Sequence, residues 1–344
     1  RLVLLLPEGE APLAASLAVV EAVRRTRDLV SEPANVLTPK AFADACAGLS
    51  SVGIEVEILD REALTALGMN ALLAVAQGSA QPPYVAVMRW QGSGGDEPPL
   101  ALVGKGICFD TGGISIKQAQ GMEEMKGDMA GAAAVFGAML ALAGRKARAN
   151  VVGVVGLAEN MPSGTAQRPG DVVTSMAGKT IEVINTDAEG RLLLADVLHY
   201  TRDRFKPRAI VDLATLTGAV IVALGHERAG LFANDEDLAA KLTAAAEETG
   251  ELLWRLPLGK PYEKHIRSDI ADLKNVGRGR EAGSTAGAVF LQQFVGEVPW
   301  AHLDIAGTAW TSRDLPLAGK GATGFGVRLL DRLVARHFET VPGS

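Results

Sequence analysis

Short, continuously apolar runs alternate with longer stretches of helical periodicity along almost the whole chain, and this alternation limits the fold more than any other feature. Ile54–Leu59, Leu72–Ala76, Tyr84–Trp90, Leu100–Gly106, Val151–Leu157, Thr180–Ile184, Ala209–Leu213 and Ala301–Ile305 read as strands. Ala11–Val30, Lys40–Leu49, Gly131–Ala143, Leu192–Arg204, Asp235–Thr249, Ala286–Phe294 and Gly326–His337 read as helices. The strands lack the polar–apolar alternation of a half-exposed sheet, so both of their faces need cover. The pattern predicts an α/β domain built on a central sheet. Gln91–Pro99 reads as an exposed turn, Met161–Gly170 as a loop, and Met176–Lys179 as a tight hairpin.

A chain of 344 residues fits one large or two ordinary domains. Its net charge of −6 argues against non-specific binding to a phosphate backbone, which wants a basic surface. Two cysteines, Cys46 and Cys108, cannot staple a secreted scaffold, and their sparse use suits a reducing, cytoplasmic compartment. The most apolar stretch, Ala209–Leu224, is broken by Asp212, two threonines and Gly218. It predicts a buried strand followed by a helix, not a membrane span. The chain begins at Arg1 with an apolar, strand-like run to Leu6, which reads as a trimmed start.

Two segments concentrate charge among small and apolar neighbours. In Asn185–Leu192, the residues Asp187, Glu189 and Arg191 are spaced by two, which places them on one side of an extended segment at the end of a strand. Carboxylates held together need a cation, a shared proton or strong hydrogen bonds. The same residues equally suit an acidic helix start. In Val103–Asp128, glycines 104, 106, 112 and 113 allow close backbone approach around Lys105, Asp110, Lys117 and Asp128. These charges are either a site or a set of lysine–carboxylate salt bridges. Gly178-Lys179-Thr180 is not a P-loop, because the first glycine of that motif falls on Val173. The five histidines, at 199, 226, 265, 302 and 337, are scattered and read as packed or surface residues. A carboxylate-rich metal site does not need them.

Taken together, Asn185-Thr186-Asp187-Ala188-Glu189-Gly190-Arg191-Leu192 and Val103-Gly104-Lys105-Gly106 with Phe109-Asp110-Thr111-Gly112-Gly113 resemble the signatures of the leucyl aminopeptidase family, the cytosolic peptidase family M17. Asp212–Gly218 and His302–Gly307 extend the resemblance, which runs from about Pro33 to Arg328. It implies a central mixed, mostly parallel sheet flanked by helices, with residues 31–344 as the catalytic domain. Residues 1–30 are then a stub and linking helix, with most of an N-terminal domain missing. It also implies two divalent metals, Zn²⁺ or Mn²⁺ with Mg²⁺ a further option. Asp110 and Glu189 would be shared between them, Asp187 would add to one, and Lys105 and Asp128 to the other. A ligating lysine is a neutral amine, so Lys105 would need a lowered pKa. Lys117 and Arg191 resemble the two catalytic residues that are not ligands, and Arg191 would hold a bicarbonate.

The reaction implied is release of N-terminal amino acids, leucine and other apolar residues preferred, by hydroxide activated between two metals. Met125, Thr215, Leu216, Gly218 and Ala306 align with the pocket for the first side chain. The family likeness further implies a homohexamer acting on peptides in the cytoplasm, with no membrane partner. A two-metal phosphoesterase would also cluster carboxylates, but a lysine ligand without histidine ligands counts against it. Against an inactive scaffold counts the complete set of seven charged residues.

Overall fold

Six of the apolar runs assemble, with two further strands, into one eight-stranded sheet in a computed structural model that describes residues 11–340. The strand-like run Arg1–Leu6 and the stub to Glu10 lie outside the described residues. In chain order the strands are β1 (Glu55–Leu59), β2 (Tyr84–Gln91), β3 (Leu100–Asp110), β4 (Asn150–Asn160), β5 (Val172–Thr174), β6 (Thr180–Glu182), β7 (Ala209–Ala214), β8 (Ala229–Ala233), β9 (Leu253–Arg255), β10 (Leu273–Lys274) and β11 (Trp300–Asp304). The α-helices are α1 (Ala11–Ser31), α2 (Pro39–Ala47), α3 (Arg61–Ala66), α4 (Asn70–Ala76), α5 (Ala130–Gly144), α6 (Gly190–Phe205), α7 (Gly218–Leu224), α8 (Glu236–Thr249), α9 (Lys260–Glu263), α10 (Gly283–Gln292) and α11 (Val327–His337).

The main sheet runs β1-β2-β4-β3-β7-β11-β8-β9. Its middle, β4-β3-β7-β11, is parallel, as is β8-β9, whereas β1-β2, β2-β4 and β11-β8 are antiparallel. The sheet is therefore mixed and mostly parallel, with both faces covered. One hydrophobic cluster joins α2, α5, α8 and α11 to one face, and a second joins α4, α6 and α10 to the other. Every residue of β3 and β4 is buried except Phe109 and Glu159, which are half-buried. This is why the sequence shows unbroken apolar runs there.

Helix α5 explains how closely the layers approach. Its small side chains let the backbone lie almost on the sheet, and a Cβ on Gly131 would fall 2.1 Å from the Leu213 carbonyl oxygen. With the preceding turn, residues 122–144 form the one stretch among the described residues long and apolar enough to cross a membrane. Its most apolar 18-residue window is 83% buried in the core of the fold. Ala209–Leu224 forms β7 and then α7, as its interrupted pattern predicts.

Two expectations need correction. The apolar run Leu72–Ala76 is the helix α4, not a strand. Met69 offers that helix no capping side chain, and Asp196 of α6 caps it from 124 positions away. The Asp196 carboxylate accepts from Leu72 N at 3.0 Å and from Met176 N at 2.7 Å, so it also docks the β5–β6 hairpin. An apolar run this short has no period of its own, and its cap is invisible locally. Asp196→Ala leaves the buried Leu72 amide and the half-buried Met176 amide unpaired. The expected cost is about 1–3 kcal/mol, read from urea unfolding, and an unchanged midpoint would contradict this role.

The second correction concerns Thr180–Ile184. Its strand β6 ends at Glu182 and belongs to a separate small sheet, β10-β6-β5. The segment that follows is not extended either. Thr186 and Asp187 form a turn and Glu189 is already helical, at φ −79° and ψ −34°. Asp187 and Glu189 meet in one cleft because a tight turn enters α6, not because alternate side chains of an extended segment share a side.

Candidate active site

The carboxyl ends of β3 and β7 and the start of α6 converge on one cleft of about 800 Å³. Lys105 and Asp110 are carried by β3, Asp128 by the turn before α5, and Asp187 and Glu189 by the turn into α6. Lys117 comes from the loop after β3. All six line the cleft. Met125, Thr215, Leu216, Gly218 and Ala306 line the same cleft, so the five residues expected to receive a side chain are brought to the charged cluster. Arg191 does not line it; the first turn of α6 points its guanidinium into a buried space beside Gly287.

The charges form two connected groups. Lys105 Nζ lies 2.8 Å from Asp128 Oδ1, 2.9 Å from Glu189 Oε1 and 2.9 Å from the Thr215 carbonyl oxygen. Lys117 Nζ lies 2.9 Å from Asp110 Oδ2 and also contacts Asp187 Oδ1. Asp110, Asp187 and Glu189 each offer an oxygen, all within 4.8 Å of one another. Such an arrangement could hold a divalent cation, since hard cations take oxygen ligands. The tight fit depends on Gly190, where a Cβ would stand 2.5 Å from Lys105 Cε.

Four carboxylates face two ammonium groups, and their proton affinities follow. Burial pushes Glu189 up to about 8, helped by Asp110 and opposed by Lys105. Burial likewise raises Asp128 to about 6 against the pull of Lys105, and raises Asp187 against Lys117. For Lys105, burial alone favours the neutral amine, but Asp128, Glu189 and Asp110 outweigh it and hold the pKa above the ordinary lysine range. Lys105 is thus an ammonium among bare carboxylates, and only additional positive charge would release its proton. Lys117 is raised in the same way, with Asp110 and Asp187 overcoming burial.

Two orphaned groups bear on what the site could bind. Asp128 Oδ2 is buried with no hydrogen-bond partner. Arg191 is only 7% exposed, its Nε has no partner, and it makes no ion pair among the described residues. Burial lowers its pKa to about 10, which still leaves it charged at neutral pH. A buried, unpaired guanidinium is costly, so this is a position suited to an anion.

Sequence reasoning missed the residues that hold the two segments together. Asn160, at the end of β4, donates to Asp110 Oδ1 at 2.8 Å and to the Thr186 carbonyl at 2.9 Å. The Thr186 hydroxyl donates to the Gly112 carbonyl at 2.6 Å. Asn275, fully buried, accepts from Ile184 N at 2.8 Å and donates to the Asn185 carbonyl at 2.7 Å. Only Asn160 carried a signal, as a polar residue closing an apolar strand.

The fold and site together define a class: an α/β domain with a carboxylate-and-lysine centre at the carboxyl ends of its parallel strands. Residues 24–331 match the family model described as cytosol aminopeptidase family, catalytic domain. The chain is 62% identical over 323 residues to a "Probable cytosol aminopeptidase" of Brucella melitensis, a match covering 94% of this chain and 66% of that protein. A protein of the same description from Nitrobacter winogradskyi is 60% identical over 322 residues, covering 94% of this chain and 64% of its own length. The chain thus spans slightly less than two thirds of these curated relatives. Among solved structures, the bottromycin maturation enzyme BotP is 41% identical, with a TM-score of 0.90, and the match covers 97% of this chain and 73% of that one. Its complex with Mn gives a TM-score of 0.91. The chain belongs to the cytosol aminopeptidase family, of which it carries the catalytic domain.

Proposed function

We propose that this chain is a two-metal aminopeptidase that removes N-terminal residues, leucine and other apolar ones preferred, from peptides. The observation that carries this reading is the buried cluster in which Lys105, Asp110, Asp128, Asp187 and Glu189 crowd together with too few positive charges of their own. Asp110 and Glu189 would be shared between two divalent ions, Asp187 would join one, and Lys105 and Asp128 the other. The donor set, one amine and otherwise oxygen, suits Mn²⁺ or Zn²⁺, with Mg²⁺ less favoured by the nitrogen. The Mn complex of BotP supports manganese. The metals would polarise the scissile carbonyl and lower the pKa of a water to supply a nucleophile at neutral pH.

The chain's own groups do the rest. Lys117, an ammonium at the cleft wall, stabilises the charge that develops on the carbonyl oxygen. The free oxygen of Asp128 accepts from the substrate's α-ammonium, which restricts cleavage to the first residue. Met125, Leu216 and Ala306 give that residue's side chain an apolar wall, and the flexible thioether of Met125 widens what fits. Arg191 would hold a bicarbonate bidentately, and the anion's oxygens suit it to accept and return a proton. Family likeness supports a homohexamer working in the cytoplasm.

Hydrolysis of a leucine anilide tests the function. Turnover is expected with Mn²⁺, is expected to vanish with a chelator and in Asp187→Ala, and is expected to be absent for the N-acetylated substrate. Turnover that survives chelation, or cleavage of the blocked substrate, would overturn the reading.

A further inference from the structure

Two motifs, Asp212–Gly218 and His302–Gly307, contain three charged residues that the proposed chemistry leaves unused: Asp212, His302 and Asp304. All three are fully buried. Asp304 closes β11, and its carboxylate is filled by donors from a single turn and its own. Oδ1 accepts from Leu216 N at 3.1 Å, from Thr217 N at 3.4 Å and from Ala306 N at 3.3 Å. Oδ2 accepts the Thr217 hydroxyl at 2.6 Å. That hydroxyl in turn accepts from Val220 N at 3.2 Å and caps α7. A buried carboxylate with so many local donors fixes the backbone that supplies them.

The fixed backbone is the part that touches the metal-ligand candidates. Thr215, one residue before the clamped amides, takes Lys105 Nζ on its carbonyl and donates its hydroxyl to Asp128 Oδ1 at 2.7 Å. Leu216 and Ala306, whose amides Asp304 holds, also wall the cleft. Beneath Asp304 the same strand carries His302, whose Nδ1 lies 2.6 Å from Asp212 Oδ1. Trp300 Nε1 donates to the other oxygen of Asp212 at 2.7 Å. His302 also stacks near Phe232 and Trp300, with ring centroids at 5.9 Å and 6.4 Å. This rigid floor leaves the Asp304 carboxylate little room to move.

We propose that Asp304 is a positioning residue of the site, setting through the turn at Thr215–Thr217 the geometry in which Lys105 and Asp128 receive a divalent ion. The proposal rests on the reading that Lys105 and Asp128 are metal ligands. Residues that orient metal ligands without touching the metal typically govern affinity or activity by about 10–100-fold. The effect should fall on one of two metal positions, since the hydrogen bonds of Asp304 go to Leu216, Thr217 and Ala306 and not to β3 or the turn into α6, which carry Asp110 and Asp187.

Calorimetric titration of the full chain with Mn²⁺ alone tests this, with the thermal midpoint recorded for each variant. Asp304→Asn and Thr217→Val are expected to fold, to weaken one of two Mn²⁺ sites by about 10–100-fold and to leave the other within threefold or so. Thr217→Ser should restore it. Two unchanged sites in folded variants would overturn the proposal. Should Asp304→Asn fail to fold, Thr217→Val, which removes one hydroxyl with its bonds to Asp304 and Val220 N, decides by itself. A wild-type chain that binds no second Mn²⁺ would remove the metal reading first and this proposal with it, a failure visible before any variant is made.

Discussion

Lys117→Met is expected to lower kcat on a leucine anilide by about 10²–10³-fold while KM moves by only a few-fold. Lys117 is 22% exposed at the cleft wall, its ammonium held by Asp110 and Asp187. Both carboxylates are candidate metal ligands, so with metals bound their charge is neutralised and the ammonium is free to face the substrate. A donor that acts on charge developing in the transition state contributes to kcat and little to ground-state binding. Methionine keeps the length and apolar stem and removes only the charge. Steady-state kinetics at saturating Mn²⁺ distinguish the cases. A rise in KM at constant kcat would make Lys117 a substrate anchor, and a loss under tenfold would remove it from the chemistry.

Metal uptake should release protons, and Lys105 should be one source. Burial raises the proton affinity of Glu189, and Lys105 is an ammonium between Asp128 and Glu189. Lys105 must lose its proton to ligate, so binding expels at least about one proton near neutral pH. The sign follows from the raised pKa of Glu189. Acid favours the protonated, metal-free site, and apparent affinity climbs as pH rises toward about 8. Titration in two buffers of different ionisation enthalpy counts the protons.

Lys105→Arg sharpens the point. Arginine can keep the ion pairs of the metal-free site but cannot become a neutral ligand. The variant is expected to fold, to bind metal at least about a hundredfold more weakly and to lose activity in proportion. Near-normal turnover from it would mean that Lys105 serves a salt bridge only. Lys105→Met should lose the activity and also destabilise the metal-free chain by about 3–5 kcal/mol, because it strands two buried carboxylates.

The sheet was legible because its strands are buried on both faces and their apolar runs are unbroken. Leu72–Ala76 was not, since a short apolar run has no period and its cap, Asp196, comes from another helix. The site was legible as residue types and not as geometry. Spacing by two places Asp187, Glu189 and Arg191 on one side of an extended segment, whereas a turn brings the first two to the cleft and turns Arg191 behind it. The roles of Asn160, Asn275 and Asp304 are not legible in the sequence because each acts through hydrogen bonds to backbone distant in sequence, which no local spacing encodes.

Anomalous diffraction from crystals of the Mn²⁺-loaded chain tests the two-metal centre most directly. Two peaks are expected in the cleft, one beside Lys105 Nζ and Asp128 and one beside Asp187, with Asp110 and Glu189 reaching both. A single peak, or a Lys105 still paired with Asp128 and Glu189 and touching no metal, would contradict it.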